Sequence, residues 1–287
     1  MGITHVLRGD DHLSNTPKQV LLYRALGMPE PVFAHVPMIL GPDGKKLSKR
    51  HGVTAVGEYA KEGILPEAML NFLSLLGWSP GDDREFMTAE ELIEAFSTDR
   101  LLKSSSVFDM EKLQWLNGRH LGVRPDDELA GTIRGYLGEE PGYRGELLDD
   151  GAWLASLLDV IKVRARTLDE LAEQARPFVC DELRFDEKAM RKGWMKDPEA
   201  AVERLQRLWE AYEDAPWDTD TLEERLRALA AEMEVGAGKL IHPLRVALTG
   251  NMASPGIFDV LVLLGRDRTG ARISAGVERI RDAAATP

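Results

Sequence analysis

The sequence has one cysteine, Cys180, among its 287 residues. A single thiol excludes an internal disulfide framework and a zinc site built from cysteines. The six histidines show no metal-ligand spacing, so we expect no protein-bound metal. No apolar run approaches the roughly 20 residues of a membrane helix, and no basic, apolar secretory leader opens the chain. These absences predict a protein of the reducing cytoplasm without a membrane anchor.

Positively charged residues are also fewer than negatively charged ones. The chain carries 36 Lys and Arg against 48 Asp and Glu, a net charge of -12, which argues against a general nucleic-acid binder. The charge is uneven, however. Residues 1–57 and 236–287 each carry seven cations against four carboxylates, so the middle of the chain holds a net -18. Two mildly basic ends can still meet a polyanion locally.

Strand signals are scarce as well, and nearly all lie before residue 58. ITHVLRG (3–9) predicts a buried strand, SNTPKQVLLYRALG (14–27) a helix, and VFAHVPMIL (32–40) a second strand that ends near Pro37. Strand, helix and strand form one unit of an open α/β sheet. A doubly wound sheet needs more strands, so we expect a remnant of a Rossmann-type domain.

The rest of the chain has helical periodicity, which predicts a mostly α protein. Thr88 and Glu91 have the spacing of a capping box, and Gly118 is a candidate helix end. The predicted helices cover residues 66–78, 88–96, 109–121, 126–137, 157–179, 197–214 and 219–235.

GPDGKKLSKRHG (41–52) concentrates four cations behind two glycines and a proline. A cluster of this kind can be a solvated surface. It can also be a phosphate site, because ligands of open α/β sheets bind beyond the carboxyl ends of strands. Lysines and free backbone N–H groups on a loop suit a triphosphate whose charge redistributes during a reaction. Charge alone leaves both interpretations open.

KLSKR, at residues 46–50, resembles the signature loop of class I aminoacyl-tRNA synthetases, in a form common in the glutamyl and glutaminyl branch. Segments 4–27, 107–121 and 242–265 resemble bacterial glutamyl-tRNA synthetases, so the similarity covers essentially the whole chain. The all-helical end distinguishes the chain from glutaminyl synthetases, which end in β-barrels. It also distinguishes the chain from short tRNA-modifying paralogues, which lack anticodon domains.

The resemblance implies a division into four parts. These are the end of a Rossmann-type catalytic domain (1–58), a helical stem-contact domain (59–125) and two helical anticodon-binding domains (126–190 and 191–287). The other class I signature, His-Ile-Gly-His or a variant, is absent from the sequence. We therefore expect a fragment of glutamate–tRNA ligase that is inactive alone, with a non-catalytic tRNA-binding module as the alternative.

The resemblance also implies ligands: ATP with Mg²⁺, L-glutamate and tRNA(Glu), bound by a monomer. Catalysis is expected of Lys49, supported by Lys46, and the ATP-binding residues are Lys46, Leu47, Ser48, Lys49 and Arg50. Arg8 and Gly9 are expected in the glutamate pocket, since a guanidinium binds a carboxylate through two hydrogen bonds. Without the resemblance, an ion pair from Arg8 to Asp10 or Asp11 is the alternative.

Four cations are expected to face tRNA, because arginine stacks on splayed bases and hydrogen-bonds their edges. They are Lys162, Arg164, Arg166 and Arg245. The alternative for the first three is a solvated helix face with ion pairs to Asp169 and Glu170. Whether tRNA(Gln) is also a substrate does not follow from the sequence.

Overall fold

A computed structural model of the chain describes residues 2–48 and 55–285. The chain forms two compact units. The first comprises Met1–Val123 with Arg166–Leu168, and the second comprises Arg124–Ala165 and Asp169–Pro287. The fold is mostly helical with a small α/β part, as predicted.

The first unit opens with the predicted strand, helix and strand. These are β1 (His5–Gly9), α1 (Thr16–Ala25) and β2 (Val32–Val36). The strands pair in parallel, with Arg8 opposite His35. β2 ends directly before Pro37, which has no N–H to offer a neighbouring strand. Within the described residues that follow, the α-helices are α2 (Pro66–Leu75), α3 (Ala89–Ala95) and α4 (Met110–Gly122).

The core of the first unit lies among its helices. Tyr59, Phe72 and Leu113 belong to a buried apolar cluster, and α2 packs against α4. By contrast, no residue of β1, α1 or β2 is fully buried. The strand predicted over 3–9 forms, but the prediction that it is buried is wrong. The small sheet is therefore the least enclosed part of this unit.

The sequence predicts a capping box at the start of α3 and a helix end at Gly118 in α4. The capping box is confirmed, because Thr88 accepts from the backbone N–H of Glu91 while the Glu91 carboxylate accepts from the N–H of Thr88. The helix end at Gly118 is wrong, since α4 continues to Gly122. Glycine inside a helix costs only about 1 kcal/mol. Burial of His120 and Leu121 in the next turn offsets that cost.

The described residues of the second unit form eight α-helices. They are α5 (Asp126–Leu137), α6 (Gly151–Ile161), α7 (Leu168–Val179), α8 (Glu187–Gly193), α9 (Pro198–Tyr212), α10 (Thr219–Glu232), α11 (Gly238–Thr249) and α12 (Ile257–Ala285). α12 is interrupted at Gly265, whose φ of 75° lies in the left-handed region. Among the described residues, no helix combines the length and apolarity needed to cross a bilayer.

The continuous helix predicted over 157–179 is wrong, because α6 ends at Ile161 and α7 begins at Leu168. Residues 166–168 belong to the first unit, and their backbone groups form hydrogen bonds within it. Asn117 Nδ2 donates to Arg166 O at 2.7 Å, and Leu168 N donates to Gly63 O at 3.1 Å.

The tryptophans of the second unit are packing residues. The buried Trp194 donates from Nε1 to Pro243 O at 3.1 Å. Trp217 Nε1 donates to Leu261 O at 2.9 Å, and Trp209 packs so closely on Gly270 that a β-carbon there would lie 2.7 Å from its ring.

Candidate functional site

Arg8 occupies the carboxyl end of β1. Its Nη2 donates to Thr16 Oγ1 at 2.8 Å and to Gln19 Oε1 at 2.7 Å, while its Nε approaches His35 Nε2 at 3.4 Å. The guanidinium also lies over the Phe33 ring, 5.3 Å from its centroid. Because Thr16 and Gln19 are neutral acceptors, they orient the guanidinium without neutralising its charge. A planar, oriented cation of this kind suits a carboxylate ligand.

The alternative ion pair from Arg8 is not formed. Within the described residues Arg8 pairs with neither Asp10 nor Asp11, and Asp11 instead binds Lys46, with 2.7 Å between Oδ2 and Nζ. Gly9 leaves room for this carboxylate, since a β-carbon there would lie 2.7 Å from Asp11 Oδ1. The contact brings the cationic loop to the end of β1, as expected of a site beyond the carboxyl ends of strands.

The Lys46–Asp11 pair has an electrostatic consequence. The hydrogen bond from Lys46 is the main cause of a lowered pKa of the Asp11 carboxyl; burial opposes it, and the positive charge of Lys46 lowers the pKa further. Both side chains remain exposed, at 59% for Lys46 and 35% for Asp11. An exposed pair of this kind is weak, so an anionic ligand can compete with Asp11 for the ammonium group.

Lys46 is presented by a narrow hairpin. Leu40 pairs with Lys46 in antiparallel fashion, and Gly44 turns the chain with a φ of 72°. Leu40 is also hydrogen-bonded to a second segment of the chain. Its N–H donates to Ser106 O at 2.9 Å, and its carbonyl oxygen accepts from Phe108 N at 2.8 Å. The hairpin is thus anchored at its base while Lys46 remains exposed.

The other ATP-binding candidates lie on or beyond this hairpin. Leu47 N donates to Ile39 O at 3.0 Å, and both Leu47 and Ser48 are half-buried. Lys49 and Arg50 lie outside the described residues.

Three partners of Arg8 were missed by the sequence analysis. Thr16 and Gln19 lie three residues apart on α1, and His35 lies on β2. The spacing of three residues places the first two on the same helix face. That spacing is the only sequence signal that could have found them, and it does not say which residue the face meets.

Two of the four tRNA-facing candidates converge in the second unit. Arg164 Nη1 donates to Ser254 O at 3.0 Å, and Arg245 Nη1 donates to the same oxygen at 3.1 Å. Arg245 also donates to Ser254 Oγ and, at 2.6 Å, to Pro255 O. Burial and the nearby charge of Arg164 lower the pKa of Arg245. Arg245 is half-buried whereas Arg164 is exposed, so Arg164 keeps donors available to a ligand.

The other two candidates do not join them. Lys162 Nζ lies 2.5 Å from Asp126 Oδ1, and its side chain is only 15% exposed. This contact, and not one with Asp169 or Glu170, ties the end of α6 to the start of α5. Arg166 is exposed, and its carbonyl oxygen accepts the hydrogen bond from Asn117.

No group of three or more His, Cys, Asp or Glu side chains within the described ranges is arranged to hold a metal ion. The residues at the end of β1 supply an oriented guanidinium, an exposed ammonium group and a carboxylate. This set can bind carboxylate and phosphate groups.

Comparison with known proteins decides the family. Residues 1–115 match the family of class I tRNA synthetases (E and Q), catalytic domain, and residues 128–277 match the anticodon binding domain family. A glutamate–tRNA ligase from Oleidesulfovibrio alaskensis is 49% identical over 275 residues, or 95% of this chain. The chain belongs to the glutamate–tRNA ligase family.

Other glutamate–tRNA ligases agree with this assignment. The relative from Syntrophotalea carbinolica is 42% identical over 98% of the chain. The crystal structure of the ligase from Elizabethkingia meningosepticum, in complex with its amino acid, matches with a TM-score of 0.78, 31% identity and 97% of this chain covered. The chain spans 58% of the length of the Oleidesulfovibrio ligase and 57% of the crystallised one. The resemblance seen in the sequence is confirmed.

Proposed function

We propose that this chain is part of a glutamate–tRNA ligase that works as a cytoplasmic monomer and attaches glutamate to tRNA(Glu) with ATP. The observation that carries the proposal is the 49% identity to a glutamate–tRNA ligase along 95% of the chain. The cations at the end of β1 and the arginine pair of the second unit supply chemistry that fits the same reaction.

The reaction has two steps. In the first, an oxygen of the glutamate α-carboxylate attacks the α-phosphorus of ATP, which is used with Mg²⁺, and the bond to pyrophosphate breaks. In the second, a terminal ribose hydroxyl of the tRNA attacks the acyl carbon, loses its proton and displaces AMP. Such a site acts mainly by positioning the reactants and stabilising phosphate charge.

The residues at the end of β1 are assigned to the first step. Arg8, next to Gly9, binds a carboxylate of glutamate, because its neutral partners leave its charge free for the ligand. Lys46 exchanges Asp11 for the phosphates of ATP. Lys49 stabilises the leaving pyrophosphate, and Leu47, Ser48 and Arg50 complete the ATP loop.

The second unit is assigned to tRNA. Arg164 is exposed beside the Ser254 carbonyl and presents its remaining donors to a base, while Arg245 is half-buried against the same segment. Lys162 and Arg166 lie on the connection between α6 and α7 and are assigned to the same ligand. The four-domain division at residues 58, 125 and 190 belongs to the same proposal.

A second candidate function is a tRNA-binding module without catalysis. It is favoured by the anticodon binding domain match, which covers 128–277. The two candidates share tRNA binding and differ in glutamate activation.

The experiment that tests the shared part is a fluorescence anisotropy titration of the chain with tRNA(Glu) and an unrelated tRNA. We expect tighter binding of tRNA(Glu). Arg164→Ala should weaken that binding by about 1–3 kcal/mol and relax the discrimination, because a base contact is lost. Arg164→Lys should bind tRNA(Glu) almost as weakly as Arg164→Ala, since an ammonium group cannot replace two fixed donors.

Arg225→Ala is the matched control, because Arg225 is an exposed arginine of α10 in the same unit. This substitution should leave the affinity for tRNA(Glu) and for the unrelated tRNA unchanged. Equal affinities of the wild-type chain for the two tRNAs would contradict the assignment of Arg164.

A further inference from the structure

A cleft of about 300 Å³ lies among α8, α9 and α11, and its side chains are mostly basic. Its charged lining consists of Lys192, Lys196, Arg204, Lys239 and Asp197, with His242 beside them. We call it the basic cleft. Four cations against one carboxylate is an unusual balance in a chain whose net charge is -12. None of these residues belongs to the site described above.

The cations of the basic cleft are not neutralised within the described part of the chain. No ion pair there involves Lys192, Lys196, Arg204 or Lys239, although the same unit forms many others. Asp197 is already engaged as the cap of α9, where it accepts from Ala200 N at 3.2 Å. The positive charge therefore faces solvent without a partner.

The walls of the basic cleft are held by close packing. A β-carbon on Gly193 would lie 2.9 Å from Val246 Cγ2, so only glycine lets the end of α8 approach α11 this closely. The buried Trp194, one residue on, hydrogen-bonds to Pro243 O at 3.1 Å. These contacts place Lys192 and Lys196 opposite Lys239 and keep the charges together.

Two helices also begin at the basic cleft. α9 starts at Pro198 after its cap Asp197, and α11 starts at Gly238. The amino end of a helix carries a partial positive charge that favours anions. This contribution adds to the unpaired side-chain charges.

The lining residues indicate the kind of anion. Lys192, Lys196 and Lys239 are exposed point charges on different segments, with no buried fork of donors to enclose one small ion. Among the described residues that line the cleft there is no Phe, Tyr or Trp, and lysine is the most frequent side chain. Separated ammonium groups on a rigid surface suit successive phosphates of a nucleic-acid backbone.

We propose that the basic cleft binds phosphodiester groups of an RNA backbone and adds sequence-independent affinity. The inference rests on the proposed function, because it takes tRNA to be the ligand of the second unit. It goes further by placing a backbone contact on α8, α9 and α11, apart from the Arg164–Arg245 pair.

The test uses Lys196→Gln and Lys239→Gln, each made singly in the chain. Both side chains are exposed, so melting followed by circular dichroism should be unchanged. Each substitution should lower the affinity for tRNA(Glu) and for an unrelated tRNA by the same factor. The slope of log affinity against log salt should become shallower by about 1 for each lysine that contacts a phosphate. Arg225→Gln, which removes one exposed charge elsewhere in the unit, should leave the slope unchanged.

The outcomes separate this inference from the proposed function. If the wild-type chain discriminates between the tRNAs and both lysine variants keep its affinity and slope, the basic cleft is not a backbone site and the proposed function stands. If the wild-type chain binds no tRNA at low salt, the proposed function fails and the inference fails with it. Calorimetric binding of tripolyphosphate that both variants lose, with tRNA binding unchanged, would assign the basic cleft to a free phosphate chain and overturn the RNA assignment.

Discussion

At the scale of single residues, the contact between Lys46 and Asp11 is the most informative one. The two lie 35 residues apart in sequence, and their ion pair places the cationic hairpin beside Arg8. Because both side chains are exposed, the pair adds little to stability. Its value is chemical: Asp11 holds Lys46 at the strand end until a stronger anion takes its place.

This arrangement predicts the titration of Asp11. Lys46→Gln should raise the pKa of the Asp11 carboxyl towards its ordinary value of 3.8, because the hydrogen bond and charge that lower it are removed. A lowered pKa in the folded state stabilises the fold above the unfolded-state pKa, and this contribution is lost as pH falls through the folded-state value. Carboxyl ¹³C NMR titration measures the shift directly.

Lys45→Gln is the control for this titration, since Lys45 is the neighbouring exposed lysine of the same hairpin. It should leave the Asp11 pKa nearly unchanged. An Asp11 pKa that is equal in wild type and Lys46→Gln would show that Lys46 does not hold the carboxylate in solution.

At the scale of elements, local signals predicted which helices and strands form, and long-range contacts decided where some of them end. The strand, helix and strand of the sheet were predictable from turn residues and apolar patterns. The break within 157–179 was not, because its periodicity is unbroken and the backbone partners of Arg166 and Leu168 lie near residues 63 and 117. Propensity is a weak prior against such tertiary contacts.

The candidate site divides in the same way. Arg8 and Lys46 became candidates through the family resemblance, which assigns roles position by position. Their partners Gln19, His35 and Asp11 could not be identified as such, since hydrogen bonds between separate elements leave no local pattern. The convergence of Arg164 and Arg245 on Ser254 was likewise invisible, because Arg164 lies in the turn after α6 and Arg245 lies on α11, 81 residues further along the chain.

Asn117 on α4 shows how one buried side chain fixes the ends of several segments. Its Oδ1 accepts from Leu65 N at 2.8 Å, and its Nδ2 donates to Gly63 O at 3.0 Å and to Arg166 O at 2.7 Å. The side chain is fully buried, so water cannot replace these bonds. Gly63 supports the same turn with a φ of 70°.

Asn117→Ala should therefore destabilise this region by about 3 kcal/mol, because buried backbone groups lose their partners. Hydrogen exchange of the Leu65 amide should accelerate on the order of 100-fold, which is that energy expressed as an opening equilibrium. Glu111→Gln, an exposed change on the same helix, should leave the exchange rate unchanged. Unaltered protection of Leu65 in the alanine variant would mean that the Asn117 hydrogen bond is dispensable.

At the scale of the whole molecule, the two units differ in how completely they are enclosed. The second unit has a continuous helical core with fully buried residues such as Leu205, Leu226 and Leu244. In the first unit, the sheet that carries Arg8 has no fully buried residue, and Leu22 and Leu26 of α1 and its end are 60% and 70% exposed. Arg164 and Arg245 therefore lie on a well-packed scaffold, whereas the candidate activation residues lie on an open one.

This difference predicts different outcomes for tRNA binding and for glutamate activation. The purified chain should bind tRNA but show no glutamate-dependent ATP–pyrophosphate exchange above background. Charges in an open, water-filled site stabilise a developing phosphate charge far less than the same charges in an enclosed one, because water screens them. The Oleidesulfovibrio ligase, which contains additional chain outside the matched region, serves as the positive control. Exchange by the chain itself, dependent on glutamate and abolished by Lys49→Ala, would show that these 287 residues already form a complete activation site.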